Sequence, residues 1–374
     1  MLRLIIIEPY EHLEVLERWL HPLLGLGFEL ECWLPNEALV KKLMHIEHAA
    51  LKWCFPSRSA TFDEWFQHKA KTIRVTDRVL WLTSGLRYDR FLYLPAGTHL
   101  LLVVHNAQSL FSPQLYWPPT VRSLRSLVGY LLKRQWCARR RLLKLQVDFI
   151  FPIAEMATVG GGAQNAHMRK HVWPFSYASK TIHPLVAEKK TIVVPGAVKP
   201  KQRDYDLLEQ ALVQFFTEYG TPLRLVFLGA CQHQDMVSYW QKFAKRYAQL
   251  ELITFAATVP GETYTNWMAQ AALVWLPLKH TVRFGPFAEQ LGQSKVSGGV
   301  YDAIYYGKPL MVPDFYPCPK NIPLSHFYSY NSVLEAAQLL EKAISTPVVE
   351  AHVSTGFEQL QEQMYLALSR SKPA

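Results

Sequence analysis

The sequence predicts an α/β protein built from two tandem Rossmann-like domains with a cleft between them, and three observations carry that prediction. Apolar runs of strand length alternate with helical patterns along the whole chain, the signature of parallel strands joined by crossover helices. At 374 residues the chain exceeds what one hydrophobic core serves. Its 49% hydrophobic and 19% charged residues describe a globular protein with a large core and exclude a disordered one.

Taken in order, apolar runs predict strands at 3–7, 28–33, 79–83, 91–94, 100–104 and 149–153 in the first half, and at 191–194, 223–228, 250–255, 273–277 and 309–312 in the second. Helical patterns fill gaps at 11–20, 205–219, 235–247, 262–271 and 333–343, with a last helix at about 356–368. The polar segment 176–190 marks a boundary. It gives a first domain over 1–183, a second over 184–345, and a C-terminal helix within 346–374 that can cross back to the first domain. Five cysteines, an odd number without metal-ligand spacing, predict free thiols in a reducing compartment and no structural zinc. The start MLRLIII turns acidic at Glu8, too soon for a signal peptide, and no run of about 18 apolar residues appears, so a cytoplasmic protein is expected.

The stretch SKVSGGVYDAIYYGKPLMVP, 294–313, is the most informative. Gly298 and Gly299 allow close backbone approach at a helix start, where unpaired amides favour an anion. Asp302 falls one turn into that helix, Gly307 suits a left-handed C-cap, and Leu310–Val312 reads as a buried strand. Ordinary helix punctuation would place the same glycines.

With VVPGAVKPKQRDYDLLEQAL (193–212) and ELITFAATVPGETYTNWMAQAALVWLPL (251–278), this stretch resembles the donor-binding domain of GT-B glycosyltransferases, particularly those similar to glycosyltransferase family 4. The resemblance spans about 150 residues of the second half; the first half is similar only in architecture. It implies a nucleoside diphosphate sugar as donor substrate, with no cofactor and no metal. Asp302 would accept hydrogen bonds from ribose hydroxyls, and Val259 would lie in the base-binding loop. Sugar transfer builds negative charge on the leaving diphosphate, so cations and helix amides must meet it. Arg203, Lys201, Lys295, Ser297, Gly298 and Gly299 are the candidates. Two departures stand out. Ser294 occupies the position of the family's first glutamate, leaving Glu289, Gln293 or Ser297 to compensate. Val198 aligns with the family's usual arginine, leaving its role to Lys199 or Lys201.

For the reacting sugar and acceptor, LLVVHNAQSL (101–110) puts His105 and Asn106 just past a strand, where α/β sheets present functional side chains. His105 is the first catalytic candidate. Glu8, Glu11 and His12 in EPYEH are the second set, although a helix N-terminus also favours acidic residues. GGGAQNAH (160–167) reads as a loop over the cleft or a simple connection.

Charge adds a partner. Residues 1–185 hold 23 basic and 14 acidic residues, against 17 and 16 in residues 186–374. Eight basic and no acidic residues fall in 121–147, where apolar positions share about half of a helical wheel. This pattern suits a helix on an anionic membrane surface, with Arg134, Trp136, Arg139, Arg140, Arg141 and Lys144 as contacts. A core helix with a wet basic face reads the same, and no motif supports nucleic acid. The function expected is a glycosyltransferase, peripheral at the inner face of the cell membrane. It would move a sugar to a glycan or lipid-linked acceptor in cell-surface polysaccharide or glycoconjugate synthesis. A nucleotide-sugar epimerase of the same fold and a degenerate glycan-binding partner subunit are the alternatives.

Overall fold

The structure is a computed structural model that describes residues 2–10, 12–143, 147–159, 168–178, 190–231, 234–319, 322–346 and 355–369. The boundary expected at 183/184, the loop 160–167, Glu11 and Lys144 lie outside the described residues.

The first half supplies β1 (Arg3–Ile7), β2 (Glu29–Trp33), β3 (Leu51–Cys54), β4 (Arg78–Trp81), β5 (His99–Val103), β6 (Val147–Phe151) and β7 (Arg169–Val172). They form one parallel sheet of order β3-β2-β1-β4-β5-β6-β7. The second half supplies β8 (Lys190–Pro195), β9 (Leu223–Ala230), β10 (Leu250–Phe255), β11 (Leu273–Trp275), the hairpin β12 (Thr281–Phe284) and β13 (Phe287–Gln290), then β14 (Leu310–Pro313) and β15 (Phe327–Tyr330). Six of these make a parallel sheet of order β10-β9-β8-β11-β14-β15, and the antiparallel hairpin stands apart. Central strands such as RLIII and HLLLV are apolar after their first residue because helices cover both faces of a parallel sheet.

The helices are α1 (Leu13–Leu24), α2 (Glu37–Leu43), α3 (Phe62–Lys69), α4 (Ala107–Phe111), α5 (Val121–Leu132), α6 (Gln135–Leu142), α7 (Ala154–Val159), α8 (Tyr205–Glu218), α9 (Gln234–Arg246), α10 (Gly261–Gln270), α11 (Gly298–Tyr305), α12 (Val333–Ser345) and α13 (Thr355–Ser369). Helix α13 packs against α1 of the first sheet's layer, where Gln361 donates to the Pro22 carbonyl at 3.1 Å.

Three expectations need correction. Residues 91–94 are not a strand: Tyr88–Tyr93 is a 3-10 turn that seats Phe91 against the Trp81 ring at 4.6 Å. A four-residue apolar run does not distinguish the two forms. The basic stretch 121–147 is not one helix, because Arg134, at φ 52°, breaks it between α5 and α6. Edge strands β3, β7 and β15 and the hairpin were not anticipated. Their sequences, LKWC, RKHV, FYSY, TVRF and FAEQ, carry polar residues where an edge meets water and so lack an apolar run.

In each sheet the strand order turns back on either side of the first strand, β1 or β8. Loops leaving the carboxyl ends at such a switch point diverge and leave a crevice.

Candidate functional site

The two crevices face each other across one cavity of about 590 Å³. The first sheet contributes Tyr10 and His12 after β1, Thr83 and Gly85 after β4, and His105 and Asn106 after β5. The second contributes Pro195 to Ala197, Lys199, Gln202 and Arg203 after β8, and Lys295 to Gly299 with Tyr301 and Asp302 at the start of α11.

The glycine pair divides its work. A Cβ on Gly299 would lie 2.7 Å from Leu276 Cδ2 and 3.0 Å from Pro195 Cγ, so this glycine lets α11 sit tightly on the ends of β8 and β11. A Cβ on Gly298 would meet nothing within 4 Å. Its backbone is open, at a helix start where Ser297 makes no side-chain cap and the first amides have no intrahelical acceptor. At the far end Gly307 adopts φ +59°, and the Lys308 amide closes on the Ala303 carbonyl at 2.9 Å.

Arg203 is buried, and Nη2 donates to the Pro195 carbonyl. Its Nη1 is also buried and meets no acceptor. Among the described residues no carboxylate lies within salt-bridge distance of Arg203, Lys199 or Lys295. Burial lowers the pKa of both Arg203 and Lys295. A buried cation without a counter-ion is costly, so the cavity is set up for an anion.

Asp302, by contrast, is engaged. Oδ1 accepts from Arg18 Nη2 at 2.7 Å and Oδ2 from the Tyr264 hydroxyl at 2.7 Å. Arg18 belongs to α1 and also lies over the Tyr305 ring at 4.7 Å, so this ion pair joins the two halves at the cavity floor. A ribose at Asp302 must share an oxygen that already has a donor.

His105 Nε2 is 2.8 Å from the Leu82 carbonyl, which only accepts, so Nε2 carries the proton and Nδ1 keeps its lone pair. The ring stacks on His12 at 5.0 Å and tilts against Phe175 at 4.7 Å. Burial, with His12 and Lys295 nearby, holds its pKa well below the ordinary value, so the imidazole is neutral and Nδ1 is left as an acceptor. His12 is half exposed, and its hydrogen bond to Glu14 at 3.3 Å raises its pKa.

Glu8 does not line the cavity. It is 0% exposed, accepting from Thr83 Oγ1 at 2.7 Å and the Tyr10 amide at 2.8 Å, and burial pushes its pKa up to about 7. It braces two lining residues from behind. Lys201 is exposed and outside the lining, while Lys199, its alternative in the basic loop, is part of it. Val259 packs against the core in the loop before α10, also outside the lining. Ser297 lines the cavity, and its amide donates to the Tyr316 hydroxyl at 3.2 Å. Ser294 and Glu289 bond each other at 2.6 Å, away from the lining.

Of the expected membrane contacts, Arg139 is corrected. It is 5% exposed, and its guanidinium caps α4 by donating to the Leu110 and Phe111 carbonyls. Arg134, Arg140 and Arg141 are exposed, and Trp136 carries the Arg139 and Arg140 cations over its ring. The apolar residues that do face outward are on α5 and just before it: Trp117 is 81% exposed, Leu132 77% and Val121 69%, with Leu115, Leu124, Val128 and Leu131 beside them. Arg18 and Tyr264 were not anticipated, because only their long-range bonds mark them.

No protein-family model matches the sequence, nor does any curated protein. Solved structures do resemble it. The Anabaena protein HepE, in complex with UDP and glucose, is 12% identical over 99% of this chain and 100% of that one, with a TM-score of 0.62. A glycosyltransferase from Rickettsia africae is 10% identical over 98% and 93%, at 0.59. The apo form of WaaB, a lipopolysaccharide outer core galactosyltransferase, is 12% identical over 99% of both, at 0.54. The fold is therefore GT-B, two Rossmann-like units around a cleft.

Proposed function

We propose that this protein is a glycosyltransferase that binds a nucleoside diphosphate sugar in the inter-sheet cavity and transfers the sugar to a glycan or lipid-linked acceptor. The observation that carries this reading is Arg203, a buried cation in the cavity wall with Nη1 unpartnered, beside the open Gly298 backbone at the start of α11. Arg203, Lys199 and the α11 amides would neutralise the leaving diphosphate without a metal ion. The base would lie toward the loop carrying Val259, and the ribose at Asp302. Among the first sheet's residues, neutral His105 would face the reacting sugar and accept the acceptor's proton at Nδ1, with His12 stacked on it.

The acceptor side also supports contact with the inner face of the cell membrane. In α5, Val121, Leu124, Val128, Leu131 and Leu132 share one outward stripe, flanked by Arg122 and Arg125. An exposed stripe of this kind suits the boundary between headgroups and acyl chains. Among the described residues no helix is long and apolar enough to cross a membrane.

The test is thermal stabilisation by nucleoside diphosphates and their sugars, since a ligand that binds only the folded state raises the melting temperature. One nucleotide should stabilise the protein, and Arg203→Gln should clearly reduce the shift at the same nucleotide concentration. No shift with any nucleotide rejects the donor site. Vesicle co-sedimentation tests the second element. Leu124→Glu with Leu131→Glu should release the protein from anionic vesicles without altering nucleotide binding. Unchanged sedimentation rejects membrane attachment through α5.

A further inference from the structure

The acceptor-side end of the cavity holds a positive charge where the resemblance implies a negative one. Ser294 stands at the position of the first glutamate, and none of its neighbours restores a carboxylate to the cavity. Glu289 is 0% exposed and faces the protein, accepting from Ser294 Oγ and from the Gln108 and Ser109 amides at 3.2 and 2.7 Å. Gln293 is exposed and outside the lining. The next residue, Lys295, does line the cavity. Its Nζ donates to Asn106 Oδ1 at 2.6 Å and lies 5.3 Å from the Phe284 ring centre. The charged groups around it are Glu289, whose buried carboxylate attracts it from behind the lining without coming within salt-bridge distance, Lys199, and His12, which has its own partner in Glu14; His105 beside it is neutral. Arg18 and Asp302 cancel each other across the cavity floor.

Lys295 therefore sits among His12, His105 and Asn106 on the side of the first sheet, whereas Arg203 and the open Gly298 backbone serve the second. A neutral hexose has only hydroxyls to offer there, and hydroxyls do not offset the cost of desolvating an ammonium. A carboxylate does, through a charge-assisted hydrogen bond. Resting on the donor-site reading above, we infer that Lys295 recognises a carboxylate on the sugar at the reacting end of the cavity, so that a substrate of this enzyme is a uronic acid, either the transferred sugar or the acceptor unit.

Calorimetric titration separates the sources. The first arm compares the hexose and hexuronate forms of the nucleotide sugar on whichever base binds, UDP-glucose against UDP-glucuronate for uridine. The second compares methyl glucoside with methyl glucuronide in the presence of the nucleoside diphosphate. One arm should show a preference of about tenfold or more for the carboxylate, lost in Lys295→Met and retained in Lys295→Arg, while affinity for the bare nucleoside diphosphate changes less than about twofold. Preference in the first arm assigns the carboxylate to the donor, and in the second to the acceptor. Equal binding of charged and neutral forms in both arms overturns the inference. So does a large loss of nucleoside diphosphate affinity in Lys295→Met, which would put the ammonium on the phosphates. Failure of every nucleoside diphosphate to bind rejects the donor site itself, and the inference falls with it.

Discussion

Two of the places where the halves of the molecule meet follow opposite rules. At the seam formed by the β12–β13 hairpin and the segment from α4 to residue 120, polar groups are matched. Glu289 takes two amides and a hydroxyl, the Ala107 amide donates to the Ser294 carbonyl at 2.7 Å, and the Tyr116 and Ala288 amides donate to the Pro286 and Gln114 carbonyls at 3.0 and 2.9 Å. In the cavity beside it, Arg203 leaves Nη1 without a partner, and among the described residues three cations have no carboxylate within salt-bridge distance. The seam spends its polar groups on holding the halves together, and the cavity keeps its own for a ligand. Burial is costly for both; only the seam offsets that cost within the chain.

The sharpest way to break this contrast is Glu289→Ala. It strands two buried amides and the Ser294 hydroxyl, so a loss of about 3 kcal/mol or more is expected in denaturant unfolding. A loss below about 1 kcal/mol would show that the seam is not a structural joint.

Next comes Glu8, just behind the cavity wall. Its folded pKa of about 7 lies above the ordinary 4.5, so the folded state binds the proton more tightly than the unfolded state. Its contribution to stability is therefore full below about pH 4.5, falls as pH rises towards 7, and stays low above that. Glu8→Gln keeps the shape without the charge and should stabilise the protein by up to about 3 kcal/mol at pH 8, with little change at pH 4. Destabilisation at both pH values would show that the ionised carboxylate is needed.

Arg203→Gln should do the reverse of Glu289→Ala. Donor nucleotide affinity falls by roughly 10- to 100-fold while stability holds or rises, because an unpaired buried charge is removed. Loss of stability with unchanged affinity would move Arg203 into the structural class.

The smallest effects come from the glycine pair. Gly299→Ala should cost about 1 to 3 kcal/mol of stability by striking Leu276 and Pro195. Gly298→Leu should leave stability nearly intact and weaken the nucleotide by about tenfold. The same outcome for both would erase the division between packing and binding that their surroundings indicate.

Much of this was legible in the chain. Buried strands announce themselves because a parallel sheet is covered on both faces, which demands unbroken apolar runs. Gly298, Gly299 and Gly307 mark a helix that starts in the open and ends in a left-handed turn, since backbone conformation and close approach are local properties. His105, Arg203 and Lys295 reach the cavity because they follow strands or precede a helix, positions that an α/β unit directs to one edge. The wheel drawn over 121–147 marks the apolar stripe of α5 but does not show that Arg139 is buried. Periodicity gives a face without saying whether that face looks inward, and the break at Arg134 turned α6 toward α4.

What the sequence by itself determined is what depends on near neighbours: the α/β alternation, the two sheets, the glycine-bounded helix and the set of cations beside it. The tertiary structure alone decided which charges are cancelled. Arg18 and Asp302 lie 284 positions apart, and Glu289 and Ser109 lie 180 apart. No local pattern reveals that one carboxylate is taken by a distant guanidinium and another by distant amides, while Lys295 is left without an ion pair. Ion pairing depends on distance in space, and that distance is set only when two separately patterned sheets are brought edge to edge.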